Sequence, residues 1–120
     1  MVHPADRDKI VIDGFGGFLT WERLTRTAEP AVDFLEICYE PGASSAKNLI
    51  MHSGREYGYV LSGELTLDLG FETHEMRPGD SICFDSATPH RLANRGVFPV
   101  RAIWVVINRV PQRESGGQKD

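Results

Sequence analysis

The sequence predicts an all-β domain, either closed into a barrel or folded as two packed sheets. Three features predict it. Segments rich in β-branched and aromatic residues recur at short intervals, turn formers separate them, and no stretch carries the apolar spacing of a long helix. Within ELTLDL, residues 64–69, Leu65, Leu67 and Leu69 alternate with Thr66 and Asp68, as a strand with one wet face does. VRAIWVVIN, residues 100–108, is apolar on both parities and needs cover on both faces. A closed or two-sheet structure meets both demands and protects the edges that many short strands would expose.

The elements follow in order. KIVI (9–12) reads as a strand stopped by DGFGG, FLTWERL (18–24) as a second stopped by AEPA, and VDFLEICYE (32–40) as a third stopped by EPGASS. NLIMH (48–52) reads as a short strand turning at Ser53 and Gly54 into EYGYVLS (56–62), then ELTLDL after a turn at Gly63, then the polar hairpin segment FETHEM. Pro78, Gly79 and Asp80 form a turn into SICFD (81–85), and Pro89 fixes the entry of an extended segment in which His90, Leu92 and Asn94 share a face. VRAIWVVINR closes the domain. Residues 1–8 and the apolar-poor tail 111–120 are expected to be disordered, leaving one domain over 9–110. Phe34, Tyr39, Tyr59, Phe84 and Trp104 are the expected core aromatics, and Cys38 and Cys83, each inside an apolar run, read as buried free thiols.

A chain of 120 residues is long enough to bury its own core as one domain. Its 13 basic and 17 acidic residues give a net charge of −4, and no Lys/Arg cluster forms a phosphate-tracking stripe, which argues against direct nucleic-acid binding. The N-terminal MVHPADRDKI lacks the apolar stretch of a signal peptide and no apolar run is long enough to span a bilayer, so a soluble cytoplasmic protein is expected.

The chemistry concentrates in MHSGREYGYVLSGE, residues 51–64. A metal site needs lone-pair side chains converging from separate strands, and a barrel interior supplies that because every second residue points inward. After the turn at Ser53 and Gly54, Glu56, Gly58 and Val60 share one face and Tyr57, Tyr59 and Leu61 the other; His52 and Ile50 share a face before it. Ser53, Gly54 and Gly58 disfavour a helix that would bring His52 and Glu56 together by its own period. Gly58, beside Glu56, is expected to leave room for an ion or ligand. His3 and His74 lie outside this group and read as exposed.

With those residues in view, the chain resembles the cupin superfamily. Its first motif has a glycine, two histidines one residue apart, a glutamate and a later glycine, which here correspond to Gly42, then Ile50, Met51 and His52, then Glu56 and Gly63. The second motif, a Pro-Gly turn followed by a histidine and an asparagine, corresponds to Pro78 and Gly79, then His90 and Asn94. The resemblance covers roughly residues 30–108 and implies a small jelly-roll β-barrel, a homodimer, and a metal held by histidines and a glutamate. Ile50 stands where the family places its first histidine, so the resemblance carries only His52, Glu56 and His90 into the ligand role.

Such a 2-His-1-Glu set binds a divalent transition metal (Fe, Mn, Ni, Cu or Zn) and leaves positions open for water, oxygen or substrate. Binding requires Glu56 ionised and both histidines neutral, so it weakens as pH falls through the histidine range. Ile50, Gly58 and Asn94 are the further pocket residues expected around it. The stretch 51–70 followed by 76–96 is similar to the cupin domain at the C-terminal end of many bacterial helix-turn-helix regulators, which implies a small-molecule sensor. The chain has no segment resembling DNA-binding helices, so it reads as a stand-alone relative or as the sensor part of something longer. Two alternatives stay open: a metal-dependent cupin enzyme (dioxygenase, isomerase or lyase), and a metal-free cupin in which the same residues hydrogen-bond an organic ligand.

Overall fold

The computed structural model describes residues 1–108. Nine strands among them build two antiparallel sheets. They are β1 (Lys9–Asp13), β2 (Phe18–Arg23), β3 (Val32–Tyr39), β4 (Arg55–Ser62), β5 (Leu65–Leu69), β6 (Glu72–Met76), β7 (Ser81–Asp85), β8 (His90–Ala93) and β9 (Val100–Ile107). The larger sheet runs β1-β2-β3-β9-β4-β7 and the smaller β6-β5-β8. The crossovers place sequence-distant strands side by side and produce the jelly-roll arrangement expected of the sequence.

The core lies between the sheets. Alternation along β4 buries Glu56, Gly58 and Val60 and exposes Tyr57, Tyr59 and Leu61, and it meets Leu35, Ile37 and Tyr39 of β3 and Leu65 and Leu67 of β5. Central β9 contributes Val100, Ala102 and Trp104 inward, while Ile103 and Val105 on its other parity are only partly covered. Tyr39, Phe84 and Trp104 are core aromatics as expected, but Phe34 and Tyr59 are not: both sit on the outward parity of the large sheet and are 39% and 46% exposed. The same parity overturns the reading of the cysteines as buried. Both thiols are free, Cys38 half-buried and Cys83 exposed.

One segment departs from its expected form, and the hairpin segment keeps to it. NLIMH makes no strand; the chain from 40 to 54 is irregular, tied to β8 by isolated bridges at Ser44 and Ile50. The polar segment 72–76 does form a strand, pairing with β5 from Leu65 opposite Met76 to Leu69 opposite Glu72, because the turn at Gly70 (φ 61°) closes a tight hairpin. At the N-terminus Pro4–Asp6 form a 3₁₀ turn, and Arg7 contacts the carboxylates of Glu22 and Glu36 at 3.4 and 3.3 Å. The tail 111–120, expected to be disordered, lies outside the described residues. No helix of the described residues is long and apolar enough to cross a membrane.

Candidate metal centre

Glu56 reaches the interior because it is the second residue of β4, opposite Phe84 of β7 on one side and Val106 of β9 on the other. His90 opens β8, with its backbone paired to Ile50 through two hydrogen bonds of 2.9 Å. His52 comes from the irregular segment rather than from a strand, and its position is set by its amide, which donates to the Ser86 carbonyl at 3.0 Å. Gly54 then turns the chain at φ 116°, so close to the end of β9 that an added Cβ would lie 2.2 Å from the Ile107 carbonyl oxygen.

The three side chains meet. Nε2 of His52 and Nε2 of His90 each lie 3.0 Å from Glu56 Oε2, and the imidazole centroids are 5.2 Å apart. Among the described residues this is the one group of three or more His, Cys, Asp or Glu whose ligand atoms fall within 4.8 Å of one another. His90 and Glu56 are buried, while the His52 side chain is 39% exposed.

The surroundings determine which atoms face the centre. His90 Nδ1 lies 2.8 Å from the Thr88 carbonyl and His52 Nδ1 3.2 Å from the Ser53 carbonyl. A carbonyl only accepts, so each Nδ1 carries a proton, and deprotonation of either ring would turn a lone pair at Nε2 toward Glu56. Trp104 Nε1–H donates to Glu56 Oε1 at 2.9 Å, while the buried Oε2 faces the two Nε2 atoms, and the buried Ser86 side chain is also in polar contact with the carboxylate. With both Nε2 atoms deprotonated, three electron-pair atoms converge on one point, and a cation there would relieve their repulsion. The donor set fits a divalent transition metal held by His52, Glu56 and His90.

Charge follows the same geometry. Burial alone would raise the Glu56 carboxyl, but polar contacts with His90 and Trp104 outweigh it and hold the group below its ordinary value. For His90, burial would depress the ring, yet contact with Glu56 and the Thr88 carbonyl raises it overall. A proton on His90 and a metal at Nε2 therefore compete for one position.

A cavity of about 320 Å³ opens beside the three residues. Ile50, Leu92 and Val106 are among its walls, and Asp33, Trp21 and Asn108 also line it. Buried Tyr39 lines it as well; burial, reinforced by the Glu56 charge, pushes its phenol far up and keeps it protonated. Of the further pocket residues expected from sequence, only Ile50 contributes. The room expected beside Gly58 is filled by the Trp104 ring, which an added Cβ would meet at 2.0 Å. Asn94 is buried elsewhere, donating to the Tyr39 and Phe98 carbonyls at 2.9 and 2.7 Å and accepting from the Gly96 amide. Its role is to tie β3 to the β8–β9 connection. His74 pairs with Glu72 at 3.0 Å, away from the centre.

Sequence reasoning missed Trp104 as the partner of Glu56. A glycine on the glutamate's own face signals a bulky neighbour across the strand, but naming it requires knowing that β9 pairs with β4 in the register Gly58 opposite Trp104.

Comparison with known proteins agrees with this architecture. The sequence model of the cupin domain (Cupin_2) matches residues 35–106. The HTH-type transcriptional regulator PuuR of Escherichia coli is 32% identical over 65 residues, a match spanning 54% of this chain but only 35% of the regulator. A predicted oxalate decarboxylase of Thermotoga maritima superposes with a TM-score of 0.78 at 20% identity, covering 91% of this chain and 99% of that one. A sugar phosphate isomerase of Silicibacter pomeroyi gives 0.76 at 22%, covering 92% and 76%. The Cupin_2 domain of an XRE family transcriptional regulator from Enterobacter cloacae gives 0.66 at 24%, covering 77% and 98%. Enzymes and regulators therefore share this fold.

Proposed function

The chain belongs to the cupin domain family, and from that premise we propose that it is a cytoplasmic small-molecule-binding module of the sensor type. His52, Glu56 and His90 hold a divalent transition metal, and the open coordination positions meet the ligand. The observation that carries this reading is the Glu56 carboxylate, whose Oε2 lies 3.0 Å from two Nε2 atoms while both Nδ1 atoms are committed to carbonyls. A homodimer covering the outer face of the large sheet, where Phe34, Tyr57, Tyr59 and Leu61 are exposed, completes the proposal.

The shortage of acid–base groups favours binding over turnover. Besides the ligand set, the titratable groups lining the cavity among the described residues are the Tyr39 phenol, held protonated, and exposed Asp33. An enzyme at this cavity would exchange its proton through Tyr39, Asp33 or a metal-bound water, which is the second reading. Elemental analysis of purified protein tests the first. Wild type is expected to carry about one metal per chain, and His52→Ala and His90→Ala less. Equal content in all three removes the metal, and turnover of a ligand that also stabilises the protein moves the reading to an enzyme.

A further inference from the structure

The walls around the ligand set indicate what the cavity can take. Each member that stands on a strand has an apolar cross-strand neighbour that lines the cavity: Ile50 beside His90, and Val106 beside Glu56. Leu92 follows His90 on the same face and lines the same space. Tyr39, Ser45, Asp33 and Asn108 also line the cavity, but a polyol hydroxyl turned toward Ile50, Leu92 or Val106 would lack a partner, and each such group weakens binding by roughly tenfold or more.

Asp33 limits charge at the other end. It pairs with Val106 across the β3–β9 ladder while Val106 pairs with Glu56, so Asp33 and Glu56 share one row of the sheet. Two strand spacings, about 10 Å, separate their backbones. At the inner end, a divalent cation beside a single ligating carboxylate leaves one net positive charge, which one anion neutralises. With Glu56 Oε1 engaged by Trp104, the carboxylate offers a single oxygen, and a six-coordinate metal keeps several positions open for a chelating ligand.

We propose that the cavity takes a monoanionic 2-oxo or 2-hydroxy carboxylic acid with a hydrocarbon side chain, a class that rests on the metal reading above. The carboxylate and the neighbouring oxygen chelate the metal, and the hydrocarbon packs on Ile50, Leu92 and Val106. The volume of about 320 Å³ corresponds to about ten waters, enough for a short branched acid and its hydration. A second carboxylate or a phosphate at the far end would face Asp33.

Calorimetry on the full chain loaded with Mn²⁺ tests this, with 4-methyl-2-oxopentanoate, 2-oxopentanedioate and glucose 6-phosphate as probes. The monoacid is expected to bind about tenfold tighter than either of the others and to lose binding when EDTA removes the metal. Asp33→Asn is expected to tighten the diacid several-fold while moving the monoacid by less than about twofold. A loaded protein that binds the diacid or the sugar phosphate as tightly as the monoacid, or binds none of them, overturns the ligand class alone. An Asp33→Asn chain with unchanged selectivity overturns it too. A chain that takes up no metal overturns the metal reading, and the ligand class with it.

Discussion

Glu56 and His90 stand on strands, buried and braced from behind by Trp104 and the Thr88 carbonyl, whereas His52 stands on the irregular stretch between β3 and β4 with a 39% exposed side chain. The strand-borne pair is fixed by ladders on both sides of Glu56 and by the β5–β8 pairing beneath His90. The third is held by its own amide, by the backbone bonds of Ile50 and Gly54 on either side, and by a side-chain contact to the Ser53 carbonyl. Two ligands are thus preorganised by the fold. The remaining one, on a segment without ladder pairing, is expected to give up part of its coordination energy to fixing that segment.

The largest expected effect tests this asymmetry directly. His90→Ala should lower metal affinity by more than about 100-fold, because it removes a buried donor that the fold preorganises. His52→Ala should cost only about tenfold, since the lost bond is partly offset by the ordering it no longer requires, and water can take its exposed position. Competition titration against a chromophoric chelator measures both. Equal losses, or a greater loss at His52, would show that the irregular segment is as rigid as the strands.

A smaller effect sharpens the rigid half. Trp104→Phe keeps an aromatic ring in the core but deletes the N–H that fixes Glu56 Oε1. Metal affinity is expected to fall by roughly tenfold, the lower end of the range for orienting partners, with all three ligands still present. Mn²⁺ electron paramagnetic resonance should then report a changed carboxylate mode. An unchanged spectrum and affinity would assign the indole to packing alone.

The same asymmetry governs how much could be read from sequence. Alternation in EYGYVLS correctly gave the inward parity of Glu56, because a strand's side-chain period is fixed by its backbone. The place of His90 followed from Pro89 and an extended run, which became β8. His52 was found by its spacing to Glu56 and not by its local structure, since NLIMH looks like a strand but forms only an isolated bridge at Ile50. Trp104, Asp33 and Val106 were out of reach for a different reason. They sit beside Glu56 only because β9 and β3 are its neighbours in the sheet, and strand order is a property of the whole chain. Phe34 and Tyr59 show the converse error: aromatic character suggests burial, but parity decides it.

The effect of pH acts within the strand-borne pair, whose two members respond with opposite sign. The raised His90 imidazole adds stability to the metal-free protein that is complete below its ordinary value of 6.5 and is lost as pH rises through the raised value. The lowered Glu56 carboxyl adds stability present above its ordinary value of 4.5 and lost as pH falls through the lowered one. The metal-free protein should therefore be most stable between those limits and weaken on the alkaline side. Metal reverses the alkaline trend, because Nε2 binds only when deprotonated, so affinity should fall about tenfold per pH unit below the His90 value. Melting curves collected from pH 5 to 9, with Zn²⁺ and with EDTA, are expected to diverge progressively as pH rises. Parallel curves would mean that proton and metal do not share His90, and that the contact between Nε2 and Glu56 is an ion pair in its own right.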